Sequence, residues 1–161
     1  MPEFHLTQLN IAILKEPLDS PVLADFIANL ERINALAENS PGYIWRLKTE
    51  EGNATAFRPL DENTIVNMSV WKDIESLRQY VYRSAHTEIM SRRKEWFERM
   101  PEAFMVLWWI PENHIPTINE ALDKLEHLRQ HGPTPNAFTF RNSFPAPVFS
   151  ESLTLRTIMI L

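Results

Sequence analysis

Asn67, Ser69 and Trp71 stand at alternate positions in Thr64–Trp71, so on an extended strand they leave one face while Val66, Met68 and Val70 leave the other. An asparagine amide can donate to an oxygen on which negative charge develops, and an indole adds an apolar wall with one N–H. Downstream, His86 sits at helical spacing from Tyr82, Met90, Arg93 and Phe97, a half-apolar face away from the helix's main stripe. A histidine there can serve as a base, ligate haem or simply pack. Asn67 and Trp71 to hold an oxygen, with His86 and Tyr82 to take or relay a proton, would amount to deprotonation chemistry on a small molecule. The plainer alternative makes Trp71 core filler and bonds Asn67 to its neighbours. The two faces must point at one cavity for the chemical reading to hold.

Other chemistries are excluded or unsupported. The chain has no cysteine, which removes thiolate catalysis, disulfides and thiolate-held metals. Its three glycines cannot build a phosphate cradle, and no nucleophile elbow, dinucleotide fingerprint or zinc-protease helix occurs. His127 and His131, one helical turn apart, could hold a metal, but no further ligand is assigned and His131 suits a helix C-terminus. His5 and His114 carry no signal alone. A net charge of −5 argues against nucleic acid, and the basic run Arg92–Lys94 lies among Glu88, Glu95 and Glu98, as on a solvated helix face. No apolar run reaches membrane-spanning length and no leader pattern opens the chain, so a cytoplasmic protein without a membrane partner is expected.

The elements that must position these residues follow from periodicity. Phe4–Ile11 alternates as a first strand, although polar residues fall on both faces. Ser20-Pro21 starts a helix whose stripe is Leu23, Phe26, Ile27, Leu30, Ile33 and Ala37, ended by Ser40-Pro41-Gly42. Tyr43–Lys48 reads as a strand with Tyr43, Trp45 and Leu47 on one face. Ala54–Arg58 is a candidate short strand. Asp73 caps a helix expected to continue to about Met100, with a break near Ser84 as an option. Phe104–Ile110 reads as a strand covered on both sides, and Thr117–Glu120 as a capping box for a last helix that Gly132-Pro133 ends. Ala137–Arg141 is a candidate final strand.

The order β-α-β-β-α-β plus a helix is the ferredoxin-like α+β pattern, an antiparallel sheet with helices on one face. Its other face needs a cover, and a second copy of the chain is the expected one. One domain over 1–145 is expected, followed by a tail, 146–161, that ends LTLRTIMIL and is either appended or strand-exchanging.

The segments VNMSVW, LRQYVYRSAH, RRKEWF, VLWWIPENHIPT and LEHLRQHGPTPNAFTFR resemble the recurring blocks of an uncharacterised bacterial family, a domain of unknown function, in the dimeric α+β barrel superfamily. The resemblance implies a ferredoxin-like fold and a homodimer. More distantly, Asn67-Met68-Ser69-Val70-Trp71 is similar to the Asn-x3-Trp of cofactor-free antibiotic-biosynthesis-type monooxygenases, where that pair holds the substrate's oxygen-bearing ring. The Tyr and Arg of those enzymes have no exact counterpart, Tyr80, Tyr82, Arg92 and Arg93 lying only near the right places. Asn10, Trp71 and His86 look like the site set of haem-degrading relatives, with a longer Trp-to-His gap. The implied function is a monooxygenase-like enzyme without a cofactor, acting on a hydrophobic aromatic or polycyclic ligand. The alternatives are a haem-binding or haem-degrading protein and a non-catalytic ligand-binding dimer.

Overall fold

The computed structural model describes residues 3–48, 55 and 58–147. Four strands, β1 (Phe4–Ile13), β2 (Tyr43–Arg46), β3 (Thr64–Trp71) and β4 (Met105–Pro111), form one antiparallel sheet in the order β2-β3-β1-β4. With α1 (Ala24–Glu38) between β1 and β2 and three short helices between β3 and β4, this is the ferredoxin-like arrangement. Of the expected strand at Ala54–Arg58 only residues 55 and 58 are described, and the expected tail 146–161 lies outside the described residues from 148 on. Among the described residues no helix is long and apolar enough to cross a membrane.

Alternation on β1, β3 and β4 divides the core. Leu9, Ile11, Val66, Met68, Val70, Val106, Trp108 and Ile110 are buried on one face. On that face they meet Ala121, Leu125 and Leu128 of α5 (Ile118–His131). The face expected to need a second copy is therefore covered by the chain's own last helix, so the homodimer rests on the family resemblance alone. Thr117 caps α5 by accepting from the Glu120 N–H at 3.2 Å. The Glu120 carboxylate does not close the capping box. It accepts from the Trp108 indole at 2.9 Å and pairs with His114 at 2.6 Å, pinning α5 to β4.

On the opposite face Leu6, Trp71, Leu77, Leu107 and Phe138 form a second cluster, joined by Ala37. The expected final strand is reduced here to isolated bridges, Leu107 with Phe138 and Thr134 with Ala137. β2 also departs from simple alternation. A bulge between Tyr43 and Trp45 leaves Ile44 outward and separates Tyr43, packed with Trp71, from Trp45 and Leu47, which join the α5 side. Arg46 is thereby paired with Ser69 across the ladder.

Gly42 makes this entry into β2 possible. Its φ is +84°, and a Cβ built there would lie 2.1 Å from Ser76 Oγ and 2.4 Å from Ser76 Cβ. Gly42→Ala is expected to cost about 1–3 kcal/mol, as strained backbone does, read as a lower urea midpoint. Adding Ser76→Gly should recover part of the loss; full stability in the single variant would show that the chain relaxes freely there.

Candidate functional site

The helical segment after β3 is not one helix. Asp73 caps α2 (Ile74–Val81) through its carboxylate, which accepts from the Ser76 N–H at 2.8 Å. Tyr82 then ends the helix, and Arg83, extended at φ −68° and ψ 144°, turns the chain into α3 (Ser84–Ser91). A third short helix, α4 (Arg93–Trp96), follows. Helix ends leave carbonyls without intrahelical partners. His86 supplies one such partner, its Nδ1 lying 3.0 Å from the carbonyl oxygen of Val81. That oxygen can only accept, so Nδ1 carries the proton and Nε2 holds the lone pair. Burial holds the His86 pKa below its ordinary 6.5, the Val81 bond acting in the other direction, so the ring is neutral at pH 7.

The break changes the tyrosine. In a continuous helix Tyr82 would lie one turn from His86; here it is 70% exposed and lies off the cavity. Tyr80 takes the inward position: its ring packs edge-on to His86 at 4.9 Å and stacks on Trp71 at 5.1 Å. Its hydroxyl donates to the Ile33 carbonyl oxygen at 3.3 Å, and burial pushes its pKa up to about 12. Tyr80 is thus a neutral wall and not a base.

Asn67 and His86 line one cavity of about 270 Å³ between this sheet face and the helices. Its floor is polar: Gln8 and Asn10 of β1 face Ser69 and Asn67 of β3 directly across the ladder. Gln8, 6% exposed, donates from Nε2 to Asn67 Oδ1 at 2.7 Å and to Ser69 Oγ at 2.8 Å. Ser69 Oγ also accepts the Trp71 indole N–H at 2.8 Å. With Oδ1 engaged, Asn67 has its Nδ2–H donors left for the cavity, where they have no partner among the described residues. Asn67, Gln8, Ser69, Trp71, Tyr80 and His86 therefore form one continuous series of contacts. Trp71 is 0% exposed and sits within that series, behind the cavity surface.

The walls are apolar. Of the α1 stripe, Leu23 and Ala37 are buried in the core, and Leu30 and Ile33 face the cavity. Phe26, with Ile89 and Phe97, lines it while packing against the cluster around Trp96; Met90 lines it too. Gln8, Asn34 and Arg46 are lining residues that sequence reasoning missed, and Arg93, placed on the face of His86 by its spacing, lines the cavity as well. The polar residues on both faces of β1 were the available signal for Gln8. The set offered for haem is divided, since Asn10 and His86 line the cavity and Trp71 does not. His127 is held 3.1 Å from Thr134 Oγ1 and packs on His131. The potential metal ligands that the described residues gather within 4.8 Å are instead Glu3, His5 and Glu112, at the far end of β1 and β4.

Residues 5–154 match the family model described as a domain of unknown function, DUF3291. No curated protein gives a significant match. Several solved structures are similar. The cofactor-independent oxygenase SnoaB from Streptomyces nogalater is 16% identical with a TM-score of 0.45, covering 70% of this chain and 98% of that one. A conserved protein from Methanosarcina mazei Go1 is 14% identical with a TM-score of 0.48, covering 65% and 91%. PA3566 from Pseudomonas aeruginosa is 8% identical with a TM-score of 0.47, covering 70% and 97%.

Proposed function

The chain belongs to the DUF3291 family, a domain of unknown function, and we propose that it is a monooxygenase-type enzyme that deprotonates a hydrophobic aromatic or polycyclic substrate. One observation supports this above others: Asn67, whose N–H donors have no partner among the described residues, and His86, a neutral imidazole, line the same largely apolar cavity. The substrate's carbonyl oxygen accepts from Asn67 Nδ2, and an acidic C–H faces His86 Nε2. Proton transfer leaves an enolate whose charge develops on the oxygen beside Asn67. The walls hold the ring and keep water from the carbanion.

The carbanion itself is the reductant of dioxygen, so this chemistry needs no bound cofactor. For a ring CH2 the balance is simple. The carbon becomes a carbonyl with one oxygen atom of O2, and the other leaves as water with the two hydrogens.

Anthrone is a suitable probe, because its loss of a proton gives an aromatic anthracenolate. The wild type is expected to couple oxygen uptake to anthraquinone formation. Asn67→Ala should lower kcat/KM by about 100-fold, the effect of losing one donor to a developing oxyanion. Unchanged turnover in that variant would remove Asn67 from the mechanism. Absence of any enzyme-dependent oxygen uptake would favour the non-catalytic ligand-binding alternative.

A further inference from the structure

The chain as a whole is acidic, with 21 Asp and Glu against 16 Lys and Arg. Its cavity is the reverse: the described lining contains Arg46 and Arg93 and no carboxylate. Arg46 is neutralised from behind, its Nε 2.7 Å from Glu38 Oε1. Arg93 has no ion pair or hydrogen bond among the described residues, and its guanidinium lies over the Phe104 ring at 4.5 Å. Arg92, its neighbour in sequence, is bound to both Asp25 and Glu95 at 2.7 Å. Two adjacent arginines thus have opposite circumstances, one engaged in holding α4 to α1, the other half-buried at a cavity wall with its donors unmatched.

We propose that Arg93 binds the carboxylate of an amphipathic organic monoacid, whose apolar body lies against Phe26, Ile89, Met90 and Phe97. A planar guanidinium fork matches a carboxylate, and the aromatic ring beneath it fixes its plane. A phosphate dianion would call for more cationic partners than this lining offers. In directing the other end of the acid to Asn67 and His86 the inference rests on the oxygenation reading above; the preference for a carboxylate does not.

The test compares 2-naphthoate, 2-naphthalenemethanol and 2-naphthyl phosphate by calorimetry, on the wild-type chain, Arg93→Gln and Arg93→Lys. Wild type is expected to bind naphthoate about tenfold or more tighter than the alcohol, the scale of one charge-assisted hydrogen bond. Arg93→Gln should bring the two within about twofold while leaving the alcohol's affinity unchanged, and Arg93→Lys should restore part of the difference. The alcohol's unchanged affinity also reports that the variant is folded. Equal affinities in the wild type, an intact preference in Arg93→Gln, tighter phosphate binding, or no naphthoate binding up to about 1 mM each overturn the proposal. His86→Ala, measured alongside, should keep the carboxylate preference. Oxygen uptake undiminished in His86→Ala, or absent from the wild type, with the preference retained counts against the catalytic reading alone.

Discussion

His86→Gln and His86→Ala are both expected to lower kcat/KM for anthrone-coupled oxygen uptake by between about 10² and 10⁴, the range for a positioned general base. The loss should fall mainly on kcat, because His86 acts on a proton that moves only in the transition state. His86→Gln is the more informative variant. Its amide can still donate to the Val81 carbonyl, which the imidazole meets at 3.0 Å, so the α2–α3 junction is preserved while the base is gone. The pH profile adds a second reading. Burial places the His86 pKa below 6.5, so the wild-type rate should hold on acidification to about that value and fall only further down. That acidic limb should disappear from the residual activity of His86→Gln. A limb that persists unchanged would assign the base to another group.

The same residue gives stability a pH dependence of known sign. The folded pKa is lower than the unfolded one, so between the two values the unfolded chain binds more protons. The contribution of neutral His86 is therefore complete above the unfolded value near 6.5 and is lost as pH falls through the folded value. Urea titrations across this window should show stability rising with pH more steeply in the wild type than in His86→Gln, which lacks the histidine's share. Chemical-shift titration of the imidazole should find its midpoint below 6.5.

What could be seen in the sequence depended on how local its cause was. β3 was legible because Val66, Met68 and Val70 answer to a two-residue period, and all three are buried on one face. Asn67 and His86 as partners of one cavity were also within reach, since each was marked by an unusual residue on a recognisable face. The exchange of Tyr82 for Tyr80 was not. A break near Ser84 is an option from the sequence and is found, but which tyrosine it turns inward follows from the extended Arg83 between α2 and α3. The bulge that separates Tyr43 from Trp45 likewise depends on pairing with β3. Arg92 and Arg93 look alike in the sequence, and the fold distinguishes them, Asp25 of α1 and Glu95 meeting the first while Phe104 lies under the second. The covering of the α5 face is a matter of where a helix returns, which periodicity does not specify. The stripe on α1 shows the same limit from another side, since Leu30 and Ile33 have core spacing but border a cavity.

Trp71→Ala is expected to destabilise the fold by about 3–5 kcal/mol, the usual cost of truncating a buried tryptophan. Trp71 is 0% exposed, meets Tyr43 edge-on at 5.7 Å and stacks on Tyr80 at 5.1 Å. Its loss leaves a cavity between sheet and α2 and removes the N–H donor that Ser69 Oγ accepts. Against a total stability of roughly 5–15 kcal/mol this is a large fraction, and Tm should fall by about 10 °C or more. Trp71→Phe keeps the stack and loses one hydrogen bond, so about 1 kcal/mol is expected from the bond itself. The comparison separates two roles for the same side chain. As the support behind Tyr80 and His86, Trp71 acts on the ligand only through them, and Trp71→Phe should leave KM within a few-fold while Tm drops modestly. As a ligand contact it would give the opposite pattern, a raised KM at nearly unchanged Tm. The burial of Trp71 behind Ser69 and Tyr80 favours the first, and thermal melts beside kinetics of the two variants decide between them.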